Sequence, residues 1–200
     1  MILKSNTKAS ELINKIKHTL EVFTPPSDSV IYDILNRFIE GLYSGVINDI
    51  REAKIEKNED GVYCLSYYED GETAGVRVCD VVKVACGEHE YERVGQEYPV
   101  RLCTEGEHLY KMTDTGVLSL YSSEPEEESI LVYFRAVPPL HTADDDREIE
   151  LPSEFVDLAE AKLYSEIYRV LGEDALCANW TEQYNMLMTR FGVWLEVHGL

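Results

Sequence analysis

Two cysteine–histidine spacings in this sequence could do chemistry. Cys86 and His89 form a Cys-x-x-His pair, which supplies half of a zinc site and needs two further ligands. Cys103 and His108 could act as a nucleophile and its general base, but no residue that would orient the histidine is recognisable around them. A turn between strands accounts for the first pair, and a structural role accounts for the second. The sequence therefore predicts neither a metal site nor a catalytic site.

Other common signatures of catalysis are absent from the sequence. It contains no glycine-rich phosphate loop, no Gly-x-Ser-x-Gly motif and no His-Glu-x-x-His motif. Asp144–Asp146 place carboxylates side by side, but they lack the alternating ligands and the turn glycine of an EF-hand loop. We expect a solvated loop there, no bound metal and no cofactor.

The chain is strongly acidic. Its 200 residues include 38 aspartates and glutamates against 18 lysines and arginines, a formal net charge of -20. Such a protein should repel nucleic acid phosphates, so it should not grip DNA. No long apolar run or signal-peptide core occurs, which predicts neither a membrane span nor secretion. Five scattered cysteines without a Cys-x-x-Cys pair favour free thiols in a reducing cytoplasm.

Apolar periodicity predicts two helices toward each end of the chain. From Ala9, and again over 31–50, apolar residues recur at the three- and four-residue spacing of an amphipathic helix. The same period returns at Glu154, is interrupted at Gly172 and then continues toward the end of the chain. Between these regions, short segments rich in valine, tyrosine and leucine predict antiparallel strands over 55–137.

These elements predict an α+β fold. Four helical stripes cannot bury themselves singly, so the helix pairs in 1–54 and 138–200 should form one helical bundle, with 55–137 as an inserted antiparallel β domain. The Pro138-Pro139 pair should end the last strand, and Pro152 should begin the next helix. The expected helical core contains Ile34, Phe38, Leu42, Leu158, Leu163, Ile167, Trp180 and Leu187.

Several short patterns carry a family resemblance. The amino-terminal pattern is "IYDILNRFIEGLYSGV", and the strand patterns are "VCDVVKVACGEHEYERV" and "LYKMTDTGVLSLYSSEPEEESILVYFRAVPPL". The most specific pattern is the join, in which "YFRAVPPL", a loop of aspartates and "ELPSEF" lead into "VDLAEAKLYSEIYRVL". Over nearly the whole chain these resemble the head-to-tail adaptor proteins of tailed bacteriophages, including those related to tail tubular protein A. The family's "YDLP" segment has no counterpart in "CLSYYEDGETAGVRV".

The resemblance implies a structural role in the neck of a phage particle. Proteins of this family form a ring, commonly a dodecamer, that docks beneath the portal protein and receives tail or stopper proteins. The genome passes through the ring, and an acidic lumen would let DNA slide without sticking. The resemblance implies no catalysis and no cofactor, and it implies assembly in the host cytoplasm and final residence in the virion.

The carboxyl end, "RFGVWLEVHGL", is the candidate portal-docking segment, because the carboxyl-terminal segment of the resembled family commonly reaches into the portal. We expect Phe191 and Leu195 to complete a buried helical stripe, and the segment 192–200 to be loosely held until it docks, with Trp194 as the main anchor. The candidate docking residues are Phe191, Val193, Trp194, Leu195, Val197 and Leu200.

A second candidate contact is the acidic stretch "EPEEES", interpreted as an exposed hairpin tip. It would touch a neighbouring subunit or a tail component through Glu124, Glu126, Glu127 and Glu128.

Two other classes of function remain open from the sequence. One is a small cytoplasmic enzyme that uses Cys103 or a histidine, which would require a deep polar pocket. The other is an acidic binding module, either an assembly chaperone or a nucleic-acid mimic, which would form a stoichiometric complex with a basic protein. Ring formation or assembly on a portal would instead favour the adaptor.

Overall fold

The structure is a computed structural model that describes residues 3–20, 23–60, 62–65, 77–97, 106–113, 117–122, 129–144 and 146–199. Within these residues lie four α-helices and seven β-strands. The helices are α1 (Ala9–Thr19), α2 (Asp28–Gly45), α3 (Val156–Leu171) and α4 (Asp174–His198). The strands are β1 (Ile50–Glu56), β2 (Tyr63–Cys64), β3 (Arg77–Cys86), β4 (His89–Arg93), β5 (His108–Met112), β6 (Val117–Ser122) and β7 (Ser129–Val137). The chain divides into two compact units, residues 1–48 with 138–200, and residues 49–137.

Helix α3 is the central element of the helical unit. It packs against α1, α2 and α4, and it buries a broad stripe that includes Leu158, Leu163 and Ile167. A 3-10 turn, Ser153–Phe155, leads into it, and Gly172 ends it in the left-handed conformation, with φ 76°. Glycine adopts that conformation without the steric cost that a Cβ would bring, so the helix ends there.

Helix α2 is shorter than the apolar pattern predicts. It ends at Gly45, where the backbone N–H of Val46 donates to the carbonyl oxygen of Leu42. Strand β1 then begins at Ile50, ahead of the expected start at Ile55. Val46 and Ile50, four positions apart, continue the helical spacing by chance, because Val46 follows the end of α2, Ile50 begins β1, and both side chains are exposed.

Helix α4 buries only part of the stripe that its apolar residues predict, at Phe191 and Leu195. Six of the expected core residues are buried, all of them in α2 and α3, whereas Trp180 and Leu187 of α4 are half-buried. Helix α4 packs mainly against α3, and its other residues are half-buried or exposed in the described structure. None of the helices within the described ranges combines the length and apolar character that crossing a bilayer requires.

The second unit is a sheet in the strand order β1-β7-β3-β4-β5-β6-β2. Its neighbours pair antiparallel except for β4 and β5, which are parallel through Glu92 with Leu109 and Arg93 with Tyr110. Burial alternates along β7, as expected for a strand with one face on a core. The end strands β1 and β2 contact each other, so the sheet is nearly closed.

The predicted fold class is therefore wrong. In the part of the chain that the structure describes, the protein is mixed α/β, with four helices and a nearly closed, barrel-like sheet of seven strands. It is not a helical bundle with an inserted antiparallel β domain. The physical reasons are that α4 lies on one side of α3 without completing a bundle, and that the sheet contains a parallel pair and curls back on itself.

Two tyrosines in the helical unit predict a loss of stability in alkali. Tyr164 stacks on Trp180 at 4.4 Å, Tyr184 lies edge-on to Phe38 at 6.2 Å, and burial raises the pKa of both phenols. Above pH about 10 the unfolded chain ionises these groups while the folded chain holds them neutral, so the free energy of unfolding should fall as pH rises. Denaturant titrations on either side of that pH would measure the fall. Tyr164→Phe should reduce it, and an identical fall in that variant would contradict the prediction.

Candidate interaction site on the carboxyl-terminal helix

The last two turns of α4 have one buried side and one exposed side. Phe191 and Leu195 are 0% and 3% exposed and pack toward α3 and the turn before it. Val193 and Val197, on the opposite side, are 57% and 76% exposed. Residues four apart on a helix share a face, so the two valines form one apolar strip and the two buried residues form another.

Trp194 lies between these two sides of the helix and belongs to an aromatic cluster. Its ring lies 5.9 Å from that of Phe155 and 6.1 Å from that of Phe191, and it is half-buried. His198 stacks on its other side at 4.0 Å, with Nδ1 2.7 Å from the carbonyl oxygen of Trp194. The indole is therefore held in place from both directions, and an exposed part of it stands next to the valines.

The segment expected to be loosely held is helical. Helix α4 continues through His198 and ends at Gly199, which has φ 70° and lies in the left-handed region. Of the candidate docking residues, the structure brings Val193, Trp194 and Val197 to the surface and places Phe191 and Leu195 in the core. Leu200 lies outside the described residues. The docking role itself stays a prediction.

The acidic stretch also stays a prediction. Glu124, Glu126, Glu127 and Glu128 lie between the end of β6 and the start of β7, outside the described residues.

The Cys86–His89 pair lies at the turn between β3 and β4. The two residues are cross-strand partners, and Gly87 between them has φ 60°. Cys86 is buried beside the carbonyl oxygen of Ser129, at 4.0 Å, while His89 stacks on the ring of His108 at 4.2 Å. The thiol and the imidazole are therefore neighbours across the strands, but each contacts a different group. In the described parts of the chain no group of three or more potential metal ligands comes together.

Of the pair Cys103 and His108, only His108 lies within the described residues. Cys103 lies outside the described residues. His108 in β5 has its Nδ1 3.0 Å from the hydroxyl oxygen of Ser122 and its ring tilted against that of Tyr91. These contacts hold the imidazole against residues of β4 and β6.

A groove of about 440 Å³ in the sheet unit is lined by residues of β3, β4 and β5. Its charged side chains are largely paired: Lys83 Nζ lies 2.7 Å from Glu90 Oε2, and Arg93 Nη1 lies 3.3 Å from Asp80 Oδ1. Burial raises the pKa of Tyr110, which also lines the groove. A neutral phenol among paired charges supplies neither a nucleophile nor a base at ordinary pH.

Sequence reasoning missed a buried polar cluster around His141. Its Nε2 lies 2.6 Å from Glu150 Oε2, in side chains that are 0% and 6% exposed. The Asn36 amide donates to the His141 carbonyl oxygen at 2.9 Å, and the His141 N–H donates to Asn36 Oδ1 at 2.7 Å. The Tyr43 hydroxyl donates to the Glu150 carbonyl oxygen at 3.2 Å. The cluster ties the loop before α3 to α2.

This cluster contains the residues of a general base, but a substrate cannot reach them. An imidazole paired with a carboxylate is a common proton acceptor in enzymes. Here, however, His141 is enclosed, and its Nδ1 has no hydrogen-bond partner in the described structure. A substrate would have to reach a side chain with no exposed surface. We interpret the cluster as structural, and no sequence signal could have found it, because Asn36 and His141 are 105 positions apart.

A scan against protein-family models finds no match for the chain, and a search of curated proteins finds none either.

Proposed function

We propose that this protein is a structural adaptor of a phage or prophage neck. In this role it forms a ring that docks on the portal protein, joins head to tail and surrounds the path by which DNA leaves. The observation that carries the proposal is the exposed apolar strip of Val193 and Val197 beside Trp194 on the last turns of α4. The sequence patterns that resemble phage adaptors supply the identity of the partner.

The strip has the character of a docking element. A tryptophan flanked by aliphatic residues is the usual composition of an interface anchor, because large apolar surfaces gain most from leaving water. An apolar strip on a helix binds by lying in a hydrophobic groove of its partner. Since Trp194 is already held by Phe155 and His198, little conformational freedom would be lost on docking.

The charge of the chain supports the same role. A ring of copies that each carry a net charge of -20 would attract no phosphates of a passing duplex. The protein would then contact DNA only by surrounding it, and its binding energy would be directed at the portal and the tail proteins. Acidity is a supporting feature, because many acidic proteins have no such role.

The test is binding to a portal protein from the same phage or prophage. Val193→Glu combined with Val197→Glu should weaken binding at least about tenfold, because it places two carboxylates in an apolar contact. Both side chains are exposed, so the circular dichroism spectrum and the thermal stability should not change. Calorimetry or a pull-down measures binding, and negative-stain microscopy shows whether rings form on the portal.

Val170→Glu is the control. Val170 is 67% exposed in the last turn of α3, so this variant places a carboxylate at an exposed valine of the same unit away from the strip, with one added charge against the two of the double variant. It should bind the portal like the unchanged protein. Undiminished binding by the double variant would show that the strip is not the docking element, and no binding by the unchanged protein would contradict the adaptor role.

A further inference from the structure

The outward face of α4 is the helix surface opposite its contact with α3, defined here by Glu182, Met186, Arg190, Val193 and Val197. All five are exposed, and Met186 is 59% exposed. Their spacing of four, four, three and four residues places them on one side of the helix. The face therefore has an apolar line with one acidic and one basic residue set symmetrically about Met186.

The two charges on this face have no ion-pair partner among the described residues. Glu182 and Arg190 are eight positions apart, about 12 Å along the helix axis, which is too far for a salt bridge between them. No residue of opposite charge lies three or four positions from either of them. Neither forms a salt bridge with any residue that the structure describes.

We propose that the outward face binds the same face of a second copy of the chain, as an antiparallel helix pair with its two-fold axis at Met186. Glu182 and Arg190 are each four residues from Met186. The two-fold axis therefore brings Glu182 of each copy level with Arg190 of the other. Two identical ion pairs then flank one apolar contact, which is how an isologous interface repeats each interaction. The antiparallel direction also sets the positive end of each helix dipole beside the negative end of the other.

The same axis covers the exposed valines. Val193 comes level with Asn179 of the second copy, and Val197 comes level with Ala175, because each of these pairs is symmetric about Met186. Alanine is small enough to let the two helices approach, and asparagine can hydrogen-bond across them. A depression on this side of α4, lined by Ala178, Thr181, Glu182, Asn185, Met186 and Thr189, offers room for the side chains of the second helix.

The charges on the outward face favour a second copy of the chain over other partners. Two chains of net charge -20 repel each other over most of their surfaces. Self-association therefore needs a patch where positive meets negative in both directions, and the outward face supplies one through Arg190 and Glu182. A partner with a uniformly acidic or uniformly basic surface would satisfy only one of these two charges.

The inference goes beyond the proposed adaptor role and does not depend on it. If both hold, pairing covers Val193 and Val197 in the free protein, and portal docking competes with the pair. The free dimer would then be a reserve form that releases single copies to the portal. Dimerisation of the free protein is measured without a portal, so its result is independent of the adaptor proposal.

Charge reversal on the full-length chain tests the pairing. Sedimentation equilibrium over a concentration series should show the mass rising from 22.9 kDa toward twice that value. Arg190→Glu sets two acidic residues against each other, and Glu182→Arg sets two basic ones. Each variant should raise the dissociation constant at least about tenfold. Lys4→Glu makes the same change in charge as Arg190→Glu at an exposed position on another part of the unit, and it should not weaken the dimer.

Restoration supplies the decisive measurement. The double variant, Glu182→Arg with Arg190→Glu, regains both opposite pairs and should dimerise again. An equimolar mixture of the two single variants should form a mixed dimer, since each of its two contacts again joins an acid to a base. A chain that is monomeric at every concentration overturns the proposal. So does an assembly that charge reversal leaves unchanged, or a mixture that stays monomeric.

Discussion

Replacing Leu163 with alanine should lower the free energy of unfolding by about 2 to 5 kcal/mol. Leu163 is 0% exposed in the middle of α3, the helix that contacts all three other helices of its unit in the described structure. The substitution removes buried methyl groups and leaves a cavity that rigid neighbours on several sides can only partly fill. Chemical denaturation, followed by circular dichroism, measures the change.

Val170→Ala in the same helix is the control for that measurement. Its side chain is largely exposed, so the change should lie within about 0.5 kcal/mol of the unchanged protein. A loss below about 0.5 kcal/mol for Leu163→Ala would mean that this side chain is not part of a packed core.

Glu150→Ala should have an effect of similar size, about 3 to 5 kcal/mol, through a different mechanism. The carboxylate is the only partner of the His141 ring in the described structure, and both side chains are buried. Its removal would leave both imidazole nitrogens without a hydrogen bond in a site that water does not reach. The same loop would lose part of its connection to α2, because His141 also pairs with Asn36. The free energy of unfolding is again the quantity to measure.

Glu148→Ala is the matched control, because Glu148 is exposed two positions away and its loss should cost less than about 0.5 kcal/mol. A combined His141→Ala and Glu150→Ala variant should lose less than the sum of the two single losses, since each single change leaves a stranded partner. Additive losses, or a loss under about 1 kcal/mol for Glu150→Ala, would show that the pair contributes little.

Both interaction surfaces proposed for this protein lie on α4. The residues proposed to bind partners lie on its exposed side, and the residues that pack against the core lie on its buried side. Phe191 and Leu195 hold the helix to the core, whereas Val193 and Val197 remain exposed. Substitutions at the exposed positions can therefore change assembly without unfolding the chain. This separation makes binding and stability independent measurements in each of the experiments above.

Local features of the sequence determined where most helices and strands lie. The apolar periods identified α1, α3 and the first part of α2, and the Pro138-Pro139 pair followed the last strand as expected, because proline cannot donate to a ladder. Gly172 ended α3 because the backbone there needs a left-handed conformation. Each of these depends on a few neighbouring residues, which is why a sequence can reveal them.

Tertiary structure alone decided which apolar residues are buried and which strands pair. The sequence placed Trp180, Phe191 and Leu195 on the side of α4 that faces the core, but only packing against α3 decided that Phe191 and Leu195 are buried while Trp180 is half-buried. The parallel pairing of β4 with β5 and the meeting of β1 with β2 join residues distant in sequence, and turn patterns carry no information about them. The cluster of Asn36, His141 and Glu150 arises in the same way, because hydrogen bonds between distant segments form only after the fold has brought the segments together.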